Sequence, residues 1–174
     1  MNVTVDLSMS GQAGTDLPSA GQLQQWATIA LQMATAAGHF TNSPERPVQL
    51  SVRLVDEAES AQLNAHYRGK NHATNVLSFP GQLPEAVQAL LPELLLGDLA
   101  ICPAVVDREA AQQHKSSSAH WAHMLVHGLL HLLGLDHQTG EEAQIMEHLE
   151  IDILKTLGHP DPYLIPEQRS SVSQ

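Results

Sequence analysis

The segment HGLLHLLGLDH at residues 127–137 contains three histidines and two glycines, and this spacing limits the local structures that the chain can form. His127 and His131 are four residues apart, so on a helix both imidazoles project from the same face. Gly134 can adopt the left-handed conformation that ends many helices, and the chain can then fold back to bring His137 towards the other two. The segment therefore predicts a helix followed by a tight turn.

Three converging imidazoles are typical of a catalytic zinc site, which keeps one coordination position open. We therefore predict that His127, His131 and His137 bind one Zn2+. His123 continues the same stripe, but it lies about 12 Å along the helix axis from His131 and cannot join the same set. We expect His120 and His123 to be neighbours of the site. Histidines four residues apart are also often only packed or solvated, and the spacing of the pair alone leaves that alternative open.

The same spacing occurs in the metzincin peptidases, with one difference. Gly128 stands where those enzymes have the glutamate that serves as general base. A metallopeptidase-like hydrolase would therefore share the predicted metal ion but would lack the base. The single cysteine, Cys102, excludes an intramolecular disulfide and any zinc site built from several cysteines of one chain.

Apolar periodicity predicts an α+β fold. Residues 2–8 and 48–54 alternate apolar and polar side chains, as half-buried strands do, and residues 76–79 and 95–102 form two further apolar runs. Helical spacing predicts one helix between Ser19 and Gly38 and others at about residues 57–66, 104–115, 118–133 and 141–157. We expect a small mixed sheet of about four strands packed against about five helices, with a zincin-like metal helix followed by a turn. Residues 1–160 are predicted to form one metal-dependent hydrolase domain, and residues 161–174 a C-terminal tail.

The charge distribution has one local exception. The chain has 19 acidic and 8 basic residues, a formal charge of −11, which argues against DNA binding through a broadly basic surface. Residues 67–80 carry Arg68 and Lys70 and no acid. Because a guanidinium matches two phosphate oxygens, Arg68 is predicted to hold a phosphate, although pairing of both cations with surface carboxylates remains open. Asp98 lies in an apolar run and is expected to have a hydrogen-bonding partner.

Three stretches of the sequence together resemble one family, the bacterial YbeY endoribonucleases of ribosomal RNA maturation. They are YRGK with TNVLSFP at residues 67–70 and 74–80, GDLAIC at residues 97–102, and the histidine segment at residues 127–137. The likeness extends from the second predicted strand to Tyr163. The chain departs from the family pattern at Leu135, where the family usually has tyrosine, and at Asn75, where some members have aspartate.

The resemblance implies a zinc-dependent endoribonuclease specific for single-stranded RNA, acting in maturation of the 3′ end of 16S ribosomal RNA and in ribosome quality control. It implies one Zn2+ held by His127, His131 and His137, and an Arg68 that faces the cleft as a catalytic residue. The implied partners are ribosomal RNA precursors, the small ribosomal subunit and its assembly factors, with no DNA. Two alternatives remain: a metallopeptidase-like hydrolase, and a non-catalytic ribosome assembly factor that zinc only stabilises.

The chain is expected to reside in the cytoplasm, without a membrane partner. Its first ten residues lack the basic and apolar regions of a signal peptide. Residues 116–135 contain no formally charged side chain over a length that can span a bilayer, but four histidines and three serines interrupt them. We therefore predict a buried helix of a soluble protein at this position.

Overall fold

The computed structural model describes residues 1–11 and 16–169, which form four strands and seven helices. The strands are β1 (Val3–Met9), β2 (Val48–Leu54), β3 (Val76–Pro80) and β4 (Leu94–Ile101). Five helices have ten or more residues: α1 (Ala20–Ala36), α2 (Glu57–Arg68), α4 (Pro103–Gln112), α5 (Ser117–Leu132) and α6 (Gly140–Thr156). The helices α3 (Glu85–Gln88) and α7 (Pro166–Arg169) have four residues each.

The strands form one mixed sheet in the order β1-β2-β4-β3. β1 and β2 are parallel, β2 and β4 are parallel, and β3 runs antiparallel to β4 at one edge. The predicted α+β class and the mixed sheet are therefore confirmed. Each predicted strand lies within one or two residues of the observed one, because the alternation of apolar side chains marks strands well when one face is buried.

One face of the sheet is buried beneath α1 and α5. Val5, Leu50 and Leu99 lie on this face and are at most 8% exposed. A smaller apolar cluster on the other face includes Leu77, Cys102 and, from α2, Leu63. The core is thus a layer between the sheet and two long helices, and α5 is the helix that carries the histidine stripe.

Several details of the fold differ from the sequence prediction. The helix α4 ends at Gln112, three residues before its predicted end, and the short helix α7 lies in the segment predicted as a tail. The helix α2 continues two residues beyond its predicted end, to Arg68, and is closed by Gly69 at a φ of 68°. The helix α3 was not predicted. The expectation of a hydrogen-bonding partner for Asp98 is wrong: the alternation of β4 turns this side chain to the solvent face beside Ser51, where no ion pair or hydrogen bond links it to another described residue.

The apolar character of α5 comes from burial in the core. Within residues 1–11 and 16–169, no helix combines the length and the hydropathy needed to cross a membrane.

Ser116 caps α5 by accepting a hydrogen bond from the backbone N–H of Ala119 at 3.1 Å, so the helix begins at Ser117.

Candidate metal centre

Close packing of α5 against the sheet fixes the direction in which its histidines point. A Cβ atom at Gly128 would lie 2.9 Å from Cγ2 of Val76 and 3.0 Å from Cδ2 of Leu99. The hydroxyl of Ser78 donates to the carbonyl oxygen of Gly128 at 2.8 Å. Residue 128 therefore faces β3 and β4, and a glutamate in its place would have to displace the core. His123, His127 and His131 lie on an adjoining face of α5.

The predicted turn after α5 is present. Gly134 has a φ of 89°, and the N–H of Leu135 donates to the carbonyl oxygen of Leu130 at 3.1 Å. The turn reverses the chain, so the ring of His137 lies 5.1 Å from that of His131 and 5.6 Å from that of His127, centroid to centroid. One nitrogen from each of the three rings lies within 4.8 Å of the others. The structure thus brings together the three histidines singled out in the sequence.

The contacts of the Nδ1 atoms determine which nitrogens face the centre of this group. Nδ1 of His131 lies 2.9 Å from the carbonyl oxygen of Leu135, and Nδ1 of His127 lies 2.7 Å from Oε1 of Glu150. A carbonyl and a carboxylate only accept hydrogen bonds, so each neutral imidazole carries its proton on Nδ1. The two Nε2 atoms, 3.1 Å apart, then face each other with their lone pairs. A cation shared by them removes that repulsion.

This donor set fits Zn2+, which three neutral imidazole nitrogens bind in catalytic sites that keep a fourth position open. Burial, assisted by the neighbouring His127 and His137, lowers the pKa of His131 below its ordinary value of 6.5. A lowered pKa keeps the ring neutral at pH 7 and its Nε2 lone pair available. The side chain of Leu135 takes no part, because the contact to His131 comes from the backbone.

Glu150 is the buried acid beneath the histidines. It is 0% exposed, and it also accepts from Nε2 of His123 at 2.8 Å and from the hydroxyl of Tyr163. Burial by itself raises the pKa of Glu150, but hydrogen bonds from His123 and His127 outweigh it and bring the pKa to about 2. The carboxylate is therefore ionised at neutral pH.

Two overlapping groups of side chains have a metal-compatible arrangement. One is His127, His131 and His137, and the other is His123, His127 and Glu150. Because Nδ1 of His127 already donates to Glu150, only its Nε2 atom remains for a metal. That nitrogen faces His131, so the geometry favours the first group as ligands and the second as its support.

The segment around Arg68 lies at the end of α2, with both of its cations exposed. No ion pair or side-chain hydrogen bond joins Arg68 or Lys70 to another described residue, whereas Arg53 pairs with Glu59 at 2.6 Å and Arg108 pairs with Glu57. Pairing with surface carboxylates, the alternative left open for Arg68 and Lys70, is therefore not observed in the described part of the chain.

An exposed aromatic side chain accompanies these cations. Tyr67 is 61% exposed, and its ring contacts that of Phe79 edge to face with centroids 4.8 Å apart. Asn75, further along the same segment, donates from its side-chain amide to Oε1 of Glu109 at 2.9 Å. The segment thus offers one aromatic ring and two cations to solvent, while its polar Asn75 is engaged with α4.

The sequence pattern of the YbeY family, described as endoribonuclease YbeY, matches residues 13–158. This chain belongs to the YbeY endoribonuclease family. The resemblance inferred from the YRGK, GDLAIC and histidine segments is therefore confirmed, and the family supports an endoribonuclease activity in ribosomal RNA maturation.

A solved structure supports the fold of this YbeY protein. The chain is similar to the solution structure of TM1509 from Thermotoga maritima, with a TM-score of 0.52 and 19% sequence identity. The match covers 92% of this chain and 99% of that one. At this level of identity the likeness concerns the arrangement of the sheet and helices.

Sequence reasoning missed Glu150 and Tyr163. The signal for Glu150 was available, because it falls within the buried stripe of α6 that includes Met146, Leu149 and Ile153. An acid in such a stripe needs a partner, and the histidines of α5 were the available donors. Tyr163 gave no such signal, since it lies in the segment assigned to the tail.

Proposed function

We propose that this YbeY protein is a zinc-dependent endoribonuclease that cleaves single-stranded ribosomal RNA precursors. The observation that carries the proposal is the pair of Nε2 atoms of His127 and His131, held 3.1 Å apart with both Nδ1 atoms occupied, and joined by His137 from the turn. Three neutral imidazoles on one side leave a zinc ion a coordination position for water or substrate. A catalytic role is therefore favoured over a purely structural one.

When bound, the zinc ion would supply Lewis-acid chemistry, polarising a phosphoryl oxygen and increasing the acidity of a coordinated water. His127, His131 and His137 would hold it, and Glu150 and the carbonyl oxygen of Leu135 would keep the rings of the first two in place. The chain's own contribution at this centre is therefore orientation and a fixed protonation state for the ligands.

The segment of residues 67–70 is proposed to bind the RNA backbone. Arg68 is free to form two hydrogen bonds to the scissile phosphate and to balance charge that develops in the reaction. Lys70 adds positive charge beside it, and the exposed ring of Tyr67 offers a surface on which an unpaired base can stack. Stacking requires a base that is not already paired, which favours a single-stranded substrate.

The biological setting follows from the family. The substrate region would be the 3′ end of 16S ribosomal RNA, with roles in maturation and ribosome quality control, and the partners would be the small ribosomal subunit and its assembly factors in the cytoplasm. A peptidase is less favoured, because Gly128 packs against Val76 and Leu99 and leaves no space for the peptidase glutamate.

The deciding experiment is cleavage of a defined RNA by the purified full chain. Wild type and His131→Ala are incubated with an end-labelled single strand, the matching duplex and an unfolded protein, and the metal content of each preparation is measured. We expect the zinc-loaded wild type to cleave only the single strand and His131→Ala to lose both zinc and cleavage. Cleavage by metal-free His131→Ala at the wild-type rate would refute the proposal, and digestion of the unfolded protein alone would establish the peptidase.

A further inference from the structure

The contacts of Glu150 connect the metal centre to two residues that are not ligands. Oε1 of Glu150 lies 2.7 Å from Nδ1 of His127, while Oε2 accepts from Nε2 of His123 at 2.8 Å and from the hydroxyl of Tyr163. His123 is on α5, Glu150 is on α6, and Tyr163 follows α6. Three separate parts of the chain therefore meet at one carboxylate.

The carboxylate has no freedom to turn. Glu150 is fully buried and His123 is 7% exposed, so water does not compete for the contact between them, and the 44%-exposed Tyr163 covers Oε2 from the solvent side. The ring of Tyr163 also packs edge to face on that of His123, with centroids 5.6 Å apart. Because both donors act on Oε2, Oε1 is left to His127 alone.

We propose that His123 and Tyr163 are positioning residues for the metal centre, and that they act by clamping Glu150 so that the ring of His127 presents Nε2. The inference rests on His127 being a metal ligand, as in the proposed function. A carboxylate that holds the distal nitrogen of a metal-binding histidine typically changes metal affinity by about 10- to 100-fold. The new element is the hydroxyl of Tyr163, which makes the segment after α6 part of the metal centre.

The contacts of Glu150 also explain why His123 and His127, which lie on the same stripe of α5, have different roles. His123 is four residues before His127, yet its Nε2 is already engaged by Glu150, and its Nδ1 is buried without a hydrogen-bond partner among the described residues. His123 is therefore not a ligand of a metal ion bound to His127 and His131. Its imidazole instead contributes to the rigidity of Glu150.

The test is zinc affinity of the full chain, measured by competition with a chromogenic chelator, for wild type, Tyr163→Phe, Glu150→Gln and two controls. Thr156→Val removes a hydroxyl from an exposed position on α6. Glu141→Gln removes the same charge from an exposed position in the first turn of α6. We expect zinc affinity to fall about 10-fold in Tyr163→Phe and up to about 100-fold in Glu150→Gln, with both controls unchanged.

The second measurement is the protonation pattern of the His127 ring in the metal-free chain, read from nitrogen-15 chemical shifts. Wild type should show the proton on Nδ1, and Tyr163→Phe should show a mixture of the two forms. A Tyr163→Phe protein with wild-type zinc affinity and an unchanged ring would overturn the clamp. If wild type bound zinc but His127→Ala did so equally well, the ligand assignment of the proposed function would fail, whereas the ring measurement would still decide whether Tyr163 acts on His127.

Discussion

Glu150 of α6 holds Nδ1 of His127 of α5 at 2.7 Å, and the two residues are 23 positions apart in the sequence. The contact places the proton of His127 on Nδ1 and leaves its Nε2 for the site, as the carbonyl oxygen of Leu135 does for His131. Without it, the spacing of His127 and His131 would permit either ring nitrogen to face the metal. The reactivity of this site therefore depends on how α5 and α6 pack.

Loss of one ligand should abolish metal binding. In His127→Ala, the remaining two histidines provide too few ligands for a stable zinc site. We expect less than a tenth of the wild-type zinc content after dialysis and no detectable RNA cleavage. His148→Ala, an exposed histidine on α6, is the matched control and should retain both. Wild-type zinc content in His127→Ala would show that the ion binds elsewhere.

Removal of the Arg68 guanidinium should slow RNA cleavage without changing zinc content. Donors that stabilise charge in a reaction typically contribute about 100- to 1000-fold to the rate. We therefore expect the cleavage rate of Arg68→Ala to be lower than that of wild type by about this factor. Arg108→Ala, which removes an exposed arginine paired with Glu57, serves as the control. Equal cleavage rates for wild type and Arg68→Ala would reject the assignment.

The exposed ring of Tyr67 should contribute to binding of single-stranded RNA. Stacking of one base on an aromatic side chain is worth about 1–3 kcal/mol, which corresponds to roughly 5- to 150-fold in affinity. Tyr67→Ala should therefore weaken binding of an unstructured oligonucleotide in a fluorescence anisotropy titration, while Tyr67→Phe keeps most of it. If Ala and Phe variants bind alike, the ring does not stack.

The close packing at Gly128 should make even a methyl group unfavourable. A Cβ there would meet Cγ2 of Val76 at 2.9 Å, and overpacking a core costs about 1–3 kcal/mol, against a gain of about 1 kcal/mol in helix propensity. Gly128→Ala is thus expected to lower the free energy of unfolding by up to about 2 kcal/mol in urea denaturation. Gly140→Ala, which has open space around it, should be neutral or slightly stabilising. A stabilised Gly128→Ala would contradict the packing argument.

The stability of the fold should depend on pH through Glu109. Burial raises the pKa of this carboxyl, but hydrogen bonds from His120 and Asn75 outweigh it and hold the pKa below the ordinary value of 4.5. A carboxyl with a lowered pKa stabilises the fold above pH 4.5, and that contribution is lost as the pH falls through the lowered value.

Urea unfolding of wild type and Glu109→Gln between pH 7 and pH 3 tests this expectation. The difference in unfolding free energy should be largest at neutral pH and should shrink as the solution is acidified below 4.5. Glu85→Gln, at an exposed position of α3, is the control. A difference that stays constant over the whole range would mean that the carboxylate of Glu109 does not contribute through its charge.

Local sequence patterns specify the strands, the long helices and the meeting of His127, His131 and His137. These features depend on local geometry: the period of strands and helices, a spacing of four residues on one face, and a glycine whose φ of 89° reverses the chain. Because each involves residues close in sequence, the order of amino acids was enough to predict them. The exposure of Asp98 was not predicted, because it depends on which face of the sheet the helices cover at that position.

The way in which the histidines are held depends on contacts between elements that are distant in the sequence. Glu150 reaches His127 because α6 packs on α5, and Tyr163 reaches Glu150 because the segment after α6 returns to the same place. Gly128 is constrained by side chains from two strands that lie far away in sequence. Such contacts arise from the pairing of faces between distant elements, and periodicity indicates that a face is buried but does not specify what covers it.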